Sequence, residues 1–204
     1  VKHFDTLAYA AKNKISTQMA ARDLRYAWFD KLVIKSSAKY LAIAHHANDD
    51  VETFFINLVR GSGLKGFLGI KEKNNLIVRP LLVVSRLEIE QYLKERDIVF
   101  REDSSNASVK YLRNKIRHEL LPLLAEMNPS IQQTVKDEMR ILEGVAQIYA
   151  AKVEEVRKDL TQEKNGIVQF EISALLALNP LHNYLYELLA PYGFYTVEAI
   201  SKVF

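Results

Sequence analysis

Short apolar runs alternate with helical stripes of apolar residues in the first half of the chain. Residues 39–44 form one run of strand length, and residues 76–78 and 98–100 form two more. After the first run, apolar residues recur at helical spacing, at Val51, Phe54, Phe55, Leu58 and Val59. Strands that alternate with helices are typical of βαβ units, so the pattern predicts an α/β fold with a mostly parallel sheet.

Capping residues mark several helix boundaries. Ser16 precedes a long stretch of helical character, and Ser85 with Glu88 forms a capping box that opens a further helix. A basic helix is predicted ahead of Pro122, which should break or kink it because proline removes a backbone donor. The pattern at residues 3–15 is weaker, and we interpret it as a fragment of strand followed by a loop.

A seven-residue repeat of apolar positions marks the second half of the chain. Its two rows are Val135, Leu142, Tyr149 and Val156, and Met139, Ala146, Val153 and Leu160. The repeat predicts a long helix over about 130–160, buried along a narrow seam. We expect residues 1–127 to form the α/β domain and residues 128–204 a smaller, mainly helical one. The long helix packs either its own domain or a partner subunit, which leaves a homodimer open.

Three shorter signals follow the long helix. Asn165 and Gly166 predict a tight turn, and residues 167–172 alternate like a half-buried strand. A last helix is predicted from Thr196.

The composition is that of an ordinary globular protein. Of 204 residues, 49% are hydrophobic and 26% are charged, and the formal net charge of +3 permits nucleic-acid contact without indicating it. The chain has no cysteine, which excludes disulfides, thiolate metal sites and a cysteine-based sulfur relay within it, and fits a reducing compartment. No apolar run approaches the roughly 18 residues that a membrane-spanning helix needs, so we expect no membrane association.

Polar chemistry is concentrated at residues 44–53, where the first strand ends and a helix begins. In open α/β sheets, ligands bind at this edge. Asp49 and Glu52 lie three residues apart at the helix start, a spacing that suits a capping box and a place that the helix dipole favours for carboxylates. On spacing alone, Asp49 is better explained as a cap than as a catalyst. The competing role is a magnesium ligand, because Mg²⁺ in nucleotide sites takes one or two carboxylates plus phosphates.

Two neighbouring features give weaker signals. His45 and His46 are adjacent at the strand end, so their side chains should diverge, with one facing the cleft as a polar or proton-handling group. Residues 61–66 match GxGxxG, but the dinucleotide fingerprint requires a strand before that pattern. Here the pattern follows a helix, which Gly61 is well placed to end.

The basic helix offers a candidate anion site. Arg113, Asn114 and Arg117 follow a polar turn at residues 103–106. Two guanidinium groups one turn apart can bind phosphates bidentately, or they can form a solvated helix face. The spacing leaves both interpretations open.

Seven segments stand in a specific order along residues 16–127. They are AARDLRYAWF (20–29), AHHANDDVET (44–53), RGSGLKG (60–66), RPLL (79–82), SRLEI (85–89), EDSSN (102–106) and YLRNKIRHELLPLL (111–124). No single segment is decisive, but the ordered set closely resembles the tRNA(Ile)-lysidine synthases, which belong to the N-type ATP pyrophosphatase, or PP-loop, group.

The resemblance implies a Rossmann-like, adenine nucleotide alpha hydrolase-like fold in a cytoplasmic enzyme. Such an enzyme uses ATP, with Mg²⁺, to join free L-lysine to C2 of the cytidine at the first anticodon position of tRNA(Ile) with a CAU anticodon. The reaction passes through an adenylylated tRNA and releases AMP and pyrophosphate. The second domain would contact the tRNA by analogy.

The resemblance also implies roles for individual residues. Asp49 becomes the best catalytic candidate, either as a ligand to magnesium or as a group that orients the lysine amine. His46 and Glu52 are weaker catalytic candidates. The expected ATP-binding and substrate-binding residues are Arg79, Asp103, Asn106, Arg113, Asn114 and Arg117.

The chain departs from the family pattern in two places. Asn48, Asp49 and Asp50 stand where many members carry DDQ, so the second acid is kept. The SGGxDS phosphate loop is absent and would lie upstream of Val1. Because such a loop supplies backbone N–H groups to pyrophosphate, we expect residues 1–204 alone not to hydrolyse ATP productively.

Two other functions remain open on sequence grounds. One is a related PP-loop tRNA-modifying enzyme, although the lack of cysteine counts against the forms that transfer sulfur. The other is an RNA-binding module without catalysis.

Overall fold

The computed structural model describes residues 2–100 and 112–194. It divides into two compact units, residues 1–135 and residues 136–204, which are treated separately below. Asp103, Asn106 and the helix predicted from Thr196 lie outside the described residues. The domain boundary near residue 127 stays a prediction.

In its described residues, the first unit is mainly helical and contains one small sheet. Its helices are α1 (Thr6–Asn13), α2 (Thr17–Ser36), α3 (Ala47–Arg60), α4 (Gly63–Gly66), α5 (Arg86–Glu95), α6 (Leu112–Lys115) and α7 (Leu121–Met127). Its strands are β1 (Leu41–Ala42), β2 (Lys73–Asn74) and β3 (Ile77–Val78).

The sheet has the order β1–β3–β2. β1 and β3 are parallel, with Leu41 opposite Ile77, and α3 lies between them in the chain, as in the predicted βαβ unit. β2 pairs antiparallel with β3, so the described sheet is mixed rather than mostly parallel. The first strand is also shorter and less buried than the apolar run suggests, because Leu41 is half-buried and Ala42 is exposed.

Two local predictions are wrong. Residues 98–100 form no strand, because the Ile98 N–H donates to the Leu93 carbonyl at 2.9 Å and so closes the end of α5. Val99, at 96% exposure, contributes nothing to a core. Residues 3–15 contain α1 instead of a strand and loop, since the Asp5 carboxylate accepts a hydrogen bond from the Ala8 N–H and caps that helix.

Three predicted helix ends are confirmed. Ser16 caps α2 by accepting from the Met19 N–H at 3.2 Å. In the capping box of α5, Ser85 Oγ accepts from the Glu88 N–H, and the Glu88 carboxylate accepts from the Ser85 N–H. Gly61, with φ of +66°, ends α3, so the GxGxxG match is a helix end followed by the short α4.

The buried face of α3 differs from the apolar stripe. Val51 and Phe55 are buried as the stripe predicts, whereas Leu58 is 49% and Val59 is 62% exposed. The other buried positions of α3 are Ala47, Asp49, Glu52 and Ile56. The helix therefore buries two carboxylates, which need cationic or hydrogen-bonding partners.

Pro122 widens the helical turn before it, and the chain stays helical on both sides of the proline. α6 leads into a π-helical turn, Ile116–Leu120, in which the Leu121 N–H donates to the Ile116 carbonyl five residues back. Proline lacks an N–H, and its ring would clash with the carbonyl four residues before it in a regular α-helix, so the wider turn accommodates it.

The second unit is held by a small apolar core. α8 (Ile131–Leu160) carries the seven-residue repeat and begins within the first unit. A β-hairpin follows it, and the turn of the hairpin is formed by Asn165 and Gly166, both at positive φ. The remaining elements are β4 (Thr161–Lys164), β5 (Ile167–Phe170), α9 (Ile172–Leu176), α10 (Leu181–Leu189) and a 3₁₀ turn (Ala190–Tyr192). The core consists of Val156, Leu175, Leu185, Leu188 and Leu189. Within the described part of the chain, no helix is both long and apolar enough to cross a membrane.

Candidate active site

The amino end of α3 brings the first predicted site residues together. Asp49 is 9% exposed, and its Oδ2 accepts a hydrogen bond from the His46 N–H at 3.0 Å. This bond satisfies a backbone donor that the start of the helix would otherwise leave free. Asp49 therefore caps α3 from the third helical position, with His46 as the N-cap residue, and the predicted capping box of Asp49 with Glu52 is wrong. Its Oδ1 lies 3.6 Å from Arg117 Nη2, beyond hydrogen-bond length.

Glu52, one turn further along α3, is only 1% exposed and meets two arginines. Arg117 donates from Nε to Oε1 at 2.5 Å and from Nη2 to Oε2 at 2.9 Å. Arg113 Nε lies 3.6 Å from Oε2. Bidentate pairing of this kind makes a buried carboxylate tolerable, and it directs Arg117 inward rather than into a solvated helix face.

The pairing also affects the proton affinity of Arg117. Its hydrogen bonds to Glu52 raise the pKa of the guanidinium, while burial opposes this rise and the charges of Glu52 and Asp49 reinforce it. Arg117 thus stays a fixed positive charge between the two acids of α3.

Arg113 connects to the backbone of α3 through a hydroxyl group. Its Nη2 donates to Thr53 Oγ1 at 3.2 Å, and that hydroxyl donates to the Asp49 carbonyl at 2.7 Å. The Arg113 side chain is 39% exposed, so part of its guanidinium remains open to solvent or an anion. Asn114, beside it, is buried at 8% exposure.

His45 lies on the opposite side of the strand end from His46. Its Nδ1 accepts a hydrogen bond from Arg79 Nε at 3.0 Å, and Arg79 Nη1 donates to the Lys71 carbonyl at 2.6 Å. Burial lowers the pKa of His45; the charge of Asp49 opposes this shift, and that of Arg79 adds to it. His45 is therefore neutral near pH 7, with Nδ1 as acceptor and the proton on Nε2.

Two cavities flank the amino end of α3. A cleft of about 310 Å³ is lined by His46, Asn48, Glu52, Arg86, Arg117, His118, Leu121, Pro122, Ala125 and Gln132. A second cavity of about 330 Å³ is lined by Arg25, Tyr26, Phe29, Ala42, Ile43, Ala44 and His45. The two histidines diverge, as their adjacency at a strand end predicts, and each lines a different cavity.

His46 contributes a polar atom with unmet hydrogen-bonding capacity. Its Nδ1 is buried and has no hydrogen-bond partner among the residues that the structure describes. Its Nε2 lies 3.5 Å from Asp49 Oδ2, so the ring rests against the capping carboxylate. A buried nitrogen of this kind is available to a polar group that enters the cleft.

The structure thus groups the predicted residues unevenly. His46, Asp49, Glu52, Arg113 and Arg117 form one connected cluster. Arg79 bonds to His45, on the side of the second cavity. The roles assigned to all these residues, and to Asn114, stay predictions.

Sequence reasoning missed a group of polar residues in the wall of the cleft. Asn48 accepts from the Arg86 N–H at 2.8 Å and donates to Gln132 Oε1 at 2.8 Å. The position of Asn48 beside Asp49 at a helix start is a signal that could have singled it out. Nothing in the sequence marks Gln132, which lies 84 residues away.

Magnesium, which the resemblance implies, fits this site only with help from phosphates. Across residues 2–100 and 112–194, no group of three or more histidine, cysteine, aspartate or glutamate side chains could hold a metal ion. Asp49 Oδ1, however, lies 3.6 Å from Arg117 Nη2, too far for a hydrogen bond to that group. One such carboxylate suffices where nucleotide phosphates and water supply the remaining ligands.

Comparisons with known proteins agree with the ordered motifs. The chain is 44% identical over 192 residues to the tRNA(Ile)-lysidine synthase of Porphyromonas gingivalis W83. The aligned region covers 94% of this chain and 41% of that protein. The protein of the same name from Bacteroides thetaiotaomicron is 41% identical over 198 residues, covering 97% and 46%. That of Bacillus thuringiensis subsp. konkukian is 35% identical over 209 residues, covering 96% and 44%.

The chain therefore spans less than half the length of these curated relatives. Residues 2–124 match the family described as the PP-loop domain. This match takes in the strand end, α3, the π-helical turn and both arginines of the cluster. The chain belongs to the PP-loop domain family.

Proposed function

We propose that this chain carries part of the catalytic site of a tRNA(Ile)-lysidine synthase. The observation that carries the proposal is the buried cluster of Asp49, Glu52 and Arg117 at the amino end of α3, in the wall of a cleft. Relatives that bear this name match nearly all of the chain, and the PP-loop family match covers the cluster.

The proposed reaction has two steps. The C2 oxygen of the cytidine at the first anticodon position attacks the α-phosphorus of ATP, and pyrophosphate leaves. The ε-amine of free lysine then attacks C2, and the C2–oxygen bond breaks to release AMP. Adenylylation turns a poor leaving group into a good one, so the protein must mainly hold the base, the nucleotide and the amine together.

The cluster supplies charges of both signs for this task. Asp49 is a carboxylate that can orient the lysine ammonium group before it loses its proton. Glu52 holds Arg117 in place, and the exposed part of Arg113 can neutralise charge on phosphates. Splayed anticodon bases are the usual targets of sequence-specific RNA binding, and a cleft of about 310 Å³ is large enough for one such base.

We further propose that ATP binds at the carboxyl end of β1. The cavity there offers the aromatic rings of Tyr26 and Phe29 and the neutral imidazole of His45, which can donate from Nε2. This is the sheet edge at which α/β proteins bind ligands. Asp49 would supply one carboxylate to a magnesium ion held mainly by the nucleotide, and that ion would offset phosphate charge.

The proposal extends to the type of sheet, the location of the protein and the class of reaction. The parallel β1–β3 pair and the PP-loop match support a mostly parallel, Rossmann-like sheet. Modification of tRNA with ATP and free lysine supports a cytoplasmic location. A ligase that forms a carbon–nitrogen bond is the reaction class that follows from the two steps.

The test uses the protein as its gene encodes it, incubated with ATP, Mg²⁺, lysine and a tRNA(Ile) transcript that has a CAU anticodon. We expect AMP and pyrophosphate in equal amounts, and a lysine-dependent mass gain confined to the first anticodon nucleotide. Ornithine in place of lysine, and uridine in place of the target cytidine, are the matched controls.

The alternatives give different results in the same assay. A modified nucleotide that forms without lysine would indicate another PP-loop tRNA-modifying reaction. Binding of tRNA without release of AMP would indicate an RNA-binding module and would overturn the proposal.

A further inference from the structure

Asn48 makes two side-chain hydrogen bonds that join the starts of three helices, all within the first unit. Its Oδ1 accepts from the N–H of Arg86, the first residue of α5, at 2.8 Å. Its Nδ2 donates to Oε1 of Gln132, the second residue of α8, at 2.8 Å. Asn48 itself is the second residue of α3. A single amide group therefore meets the amino ends of two other helices.

These contacts lie in the wall of the cleft beside the acid cluster. Asn48, Arg86 and Gln132 line the cleft together with Glu52 and Arg117. A backbone bond from the Ala47 N–H to the Val84 carbonyl, at 2.9 Å, also ties the start of α3 to the segment before α5. The Asn48–Gln132 bond extends this connection from the start of α3 to the start of α8.

The two bonds require different properties of residue 48. The bond to the Arg86 N–H needs an acceptor, which asparagine and aspartate both provide. The bond to Gln132 needs one donor and one acceptor. Asn48 donates in it, whereas aspartate would accept from Gln132 Nε2 after the glutamine amide turns by 180°. Aspartate can therefore replace Asn48 as long as residue 132 can donate.

We propose that Asn48 is a positioning residue: its amide holds the starts of α5 and α8 against the start of α3 and so sets the width of the cleft. It touches no reacting atom in this role. The activity part of the proposal rests on the proposed function, while the structural part does not.

Four variants of the whole encoded protein separate the contact from its chemistry. Asn48→Asp and Gln132→Glu each leave one donor facing one acceptor, so both should behave like the parent. The double variant N48D/Q132E places two carboxylates at hydrogen-bond distance and should lose the contact by repulsion. Pairing N48D with Q132K restores an attractive pair and should recover it. Gln91→Glu, which faces Glu95 on the exposed surface of α5, controls for a new pair of like charges elsewhere.

The first measurement is independent of activity. Hydrogen exchange of the Thr134 N–H, which bonds to the Ser130 carbonyl in the first turn of α8, reports whether that turn stays ordered. We expect it to be about tenfold faster in N48D/Q132E, in line with usual coupling between contacting residues, and unchanged in both single variants, in N48D/Q132K and in Gln91→Glu.

The second measurement is the split between KM and kcat. A wall residue that only shapes the cleft should raise the KM for tRNA about fivefold or more in N48D/Q132E, with the rate of the adenylylation step at saturating tRNA unchanged. N48D/Q132K should return KM to the parent value.

The outcomes distinguish the two proposals. If the parent protein shows no tRNA-dependent activity, the proposed function fails, and exchange at Thr134 still decides on the contact. If the single variants change exchange as much as the double variant, or if the double variant behaves like the parent, the positioning role of Asn48 is wrong. If N48D/Q132E is too unstable to study, the decision rests on N48D and N48D/Q132K. Exchange at Thr134 in both must match the parent, and a faster rate in either contradicts the positioning role.

Discussion

Arg117 donates to both carboxylate oxygens of Glu52, and this pair connects the π-helical turn to the buried face of α3. Glu52 is 1% exposed, so its charge has almost no access to water. A buried pair of this kind contributes less to net stability than its geometry suggests, because both ions lose hydration. Breaking one side of the pair is nevertheless costly, since it leaves an uncompensated charge.

Replacing Arg117 with methionine should therefore lower the free energy of unfolding by about 3 kcal/mol, which is typical for a broken buried ion pair. Urea titration followed by the fluorescence of Trp28, the single tryptophan of the chain, provides the measurement. Arg140→Met, which removes a pair between exposed side chains, should change stability by less than about 1 kcal/mol. A loss for Arg117→Met as small as that of this control would contradict the role of the pair.

Asp49 caps α3 and is proposed to act in catalysis, and a single substitution can separate these two roles. Asp49→Asn keeps an oxygen that accepts from the His46 N–H but removes the negative charge. Stability should fall by no more than about 1 kcal/mol, the usual value of a charge at a helix start. Formation of AMP by the encoded protein with tRNA and lysine should fall about 100-fold or more if the charge acts in catalysis. Activity close to the parent level would reduce Asp49 to a cap.

His45 makes stability depend on pH in a defined window. Burial lowers its pKa in the folded protein below the ordinary value of 6.5, so the unfolded chain binds the proton more tightly. The contribution of neutral His45 is fully present above pH 6.5 and is lost as the pH falls from there towards the folded-state pKa. His45→Gln, which can still accept from Arg79, should flatten the pH dependence of the unfolding free energy below pH 6.5. His3→Asn, at an exposed position, controls for loss of an imidazole; an equal flattening there would contradict the assignment.

Substitution by alanine should have opposite effects on stability at Gly66 and at Gly144. A Cβ at Gly66 would lie 2.4 Å from Ser62 Cβ and 3.2 Å from Asn57 Cβ, so the end of α4 must shift. We expect a loss of about 1–3 kcal/mol, the usual cost of overpacking. At Gly144, inside α8, the same position meets no described residue within 4 Å apart from the adjoining backbone of its own helix. Alanine there should add up to about 1 kcal/mol through helix propensity. Thermal unfolding of both variants by circular dichroism tests the pair, and a gain at Gly66 would show that the clash is absent.

Local features of the fold could be predicted because local residues determine them. Ser16, Ser85 and Gly61 act on backbone groups within a few positions of themselves, and the structure confirms all three helix ends. The bond from the His46 N–H to the Asp49 carboxylate is equally local, although the spacing of Asp49 and Glu52 predicted a capping box between those two residues instead. By contrast, the strand predicted at residues 98–100 fails, since an apolar run forms a strand only where another strand is available to pair with it.

The divergence of His45 and His46 was also predictable, because successive side chains of an extended segment point to opposite sides. What each histidine meets was not. Arg79, which bonds to His45, lies 34 residues away, and the chain order gives no reason for that pairing.

The sequence by itself determined the helix ends, the direction of the two histidines and the place where chemistry is concentrated, since each depends on neighbours in the chain. Tertiary structure decided the partners of the buried charges. Glu52 and Arg117 are 65 positions apart, and Asn48 and Gln132 are 84 apart. The first contact exists because a carboxylate inside the protein requires a cation, and the second because helix ends must be satisfied where they meet. Which residues meet depends on how α3 lies against the π-helical turn and against the first residues of α5 and α8, and no local pattern encodes that arrangement.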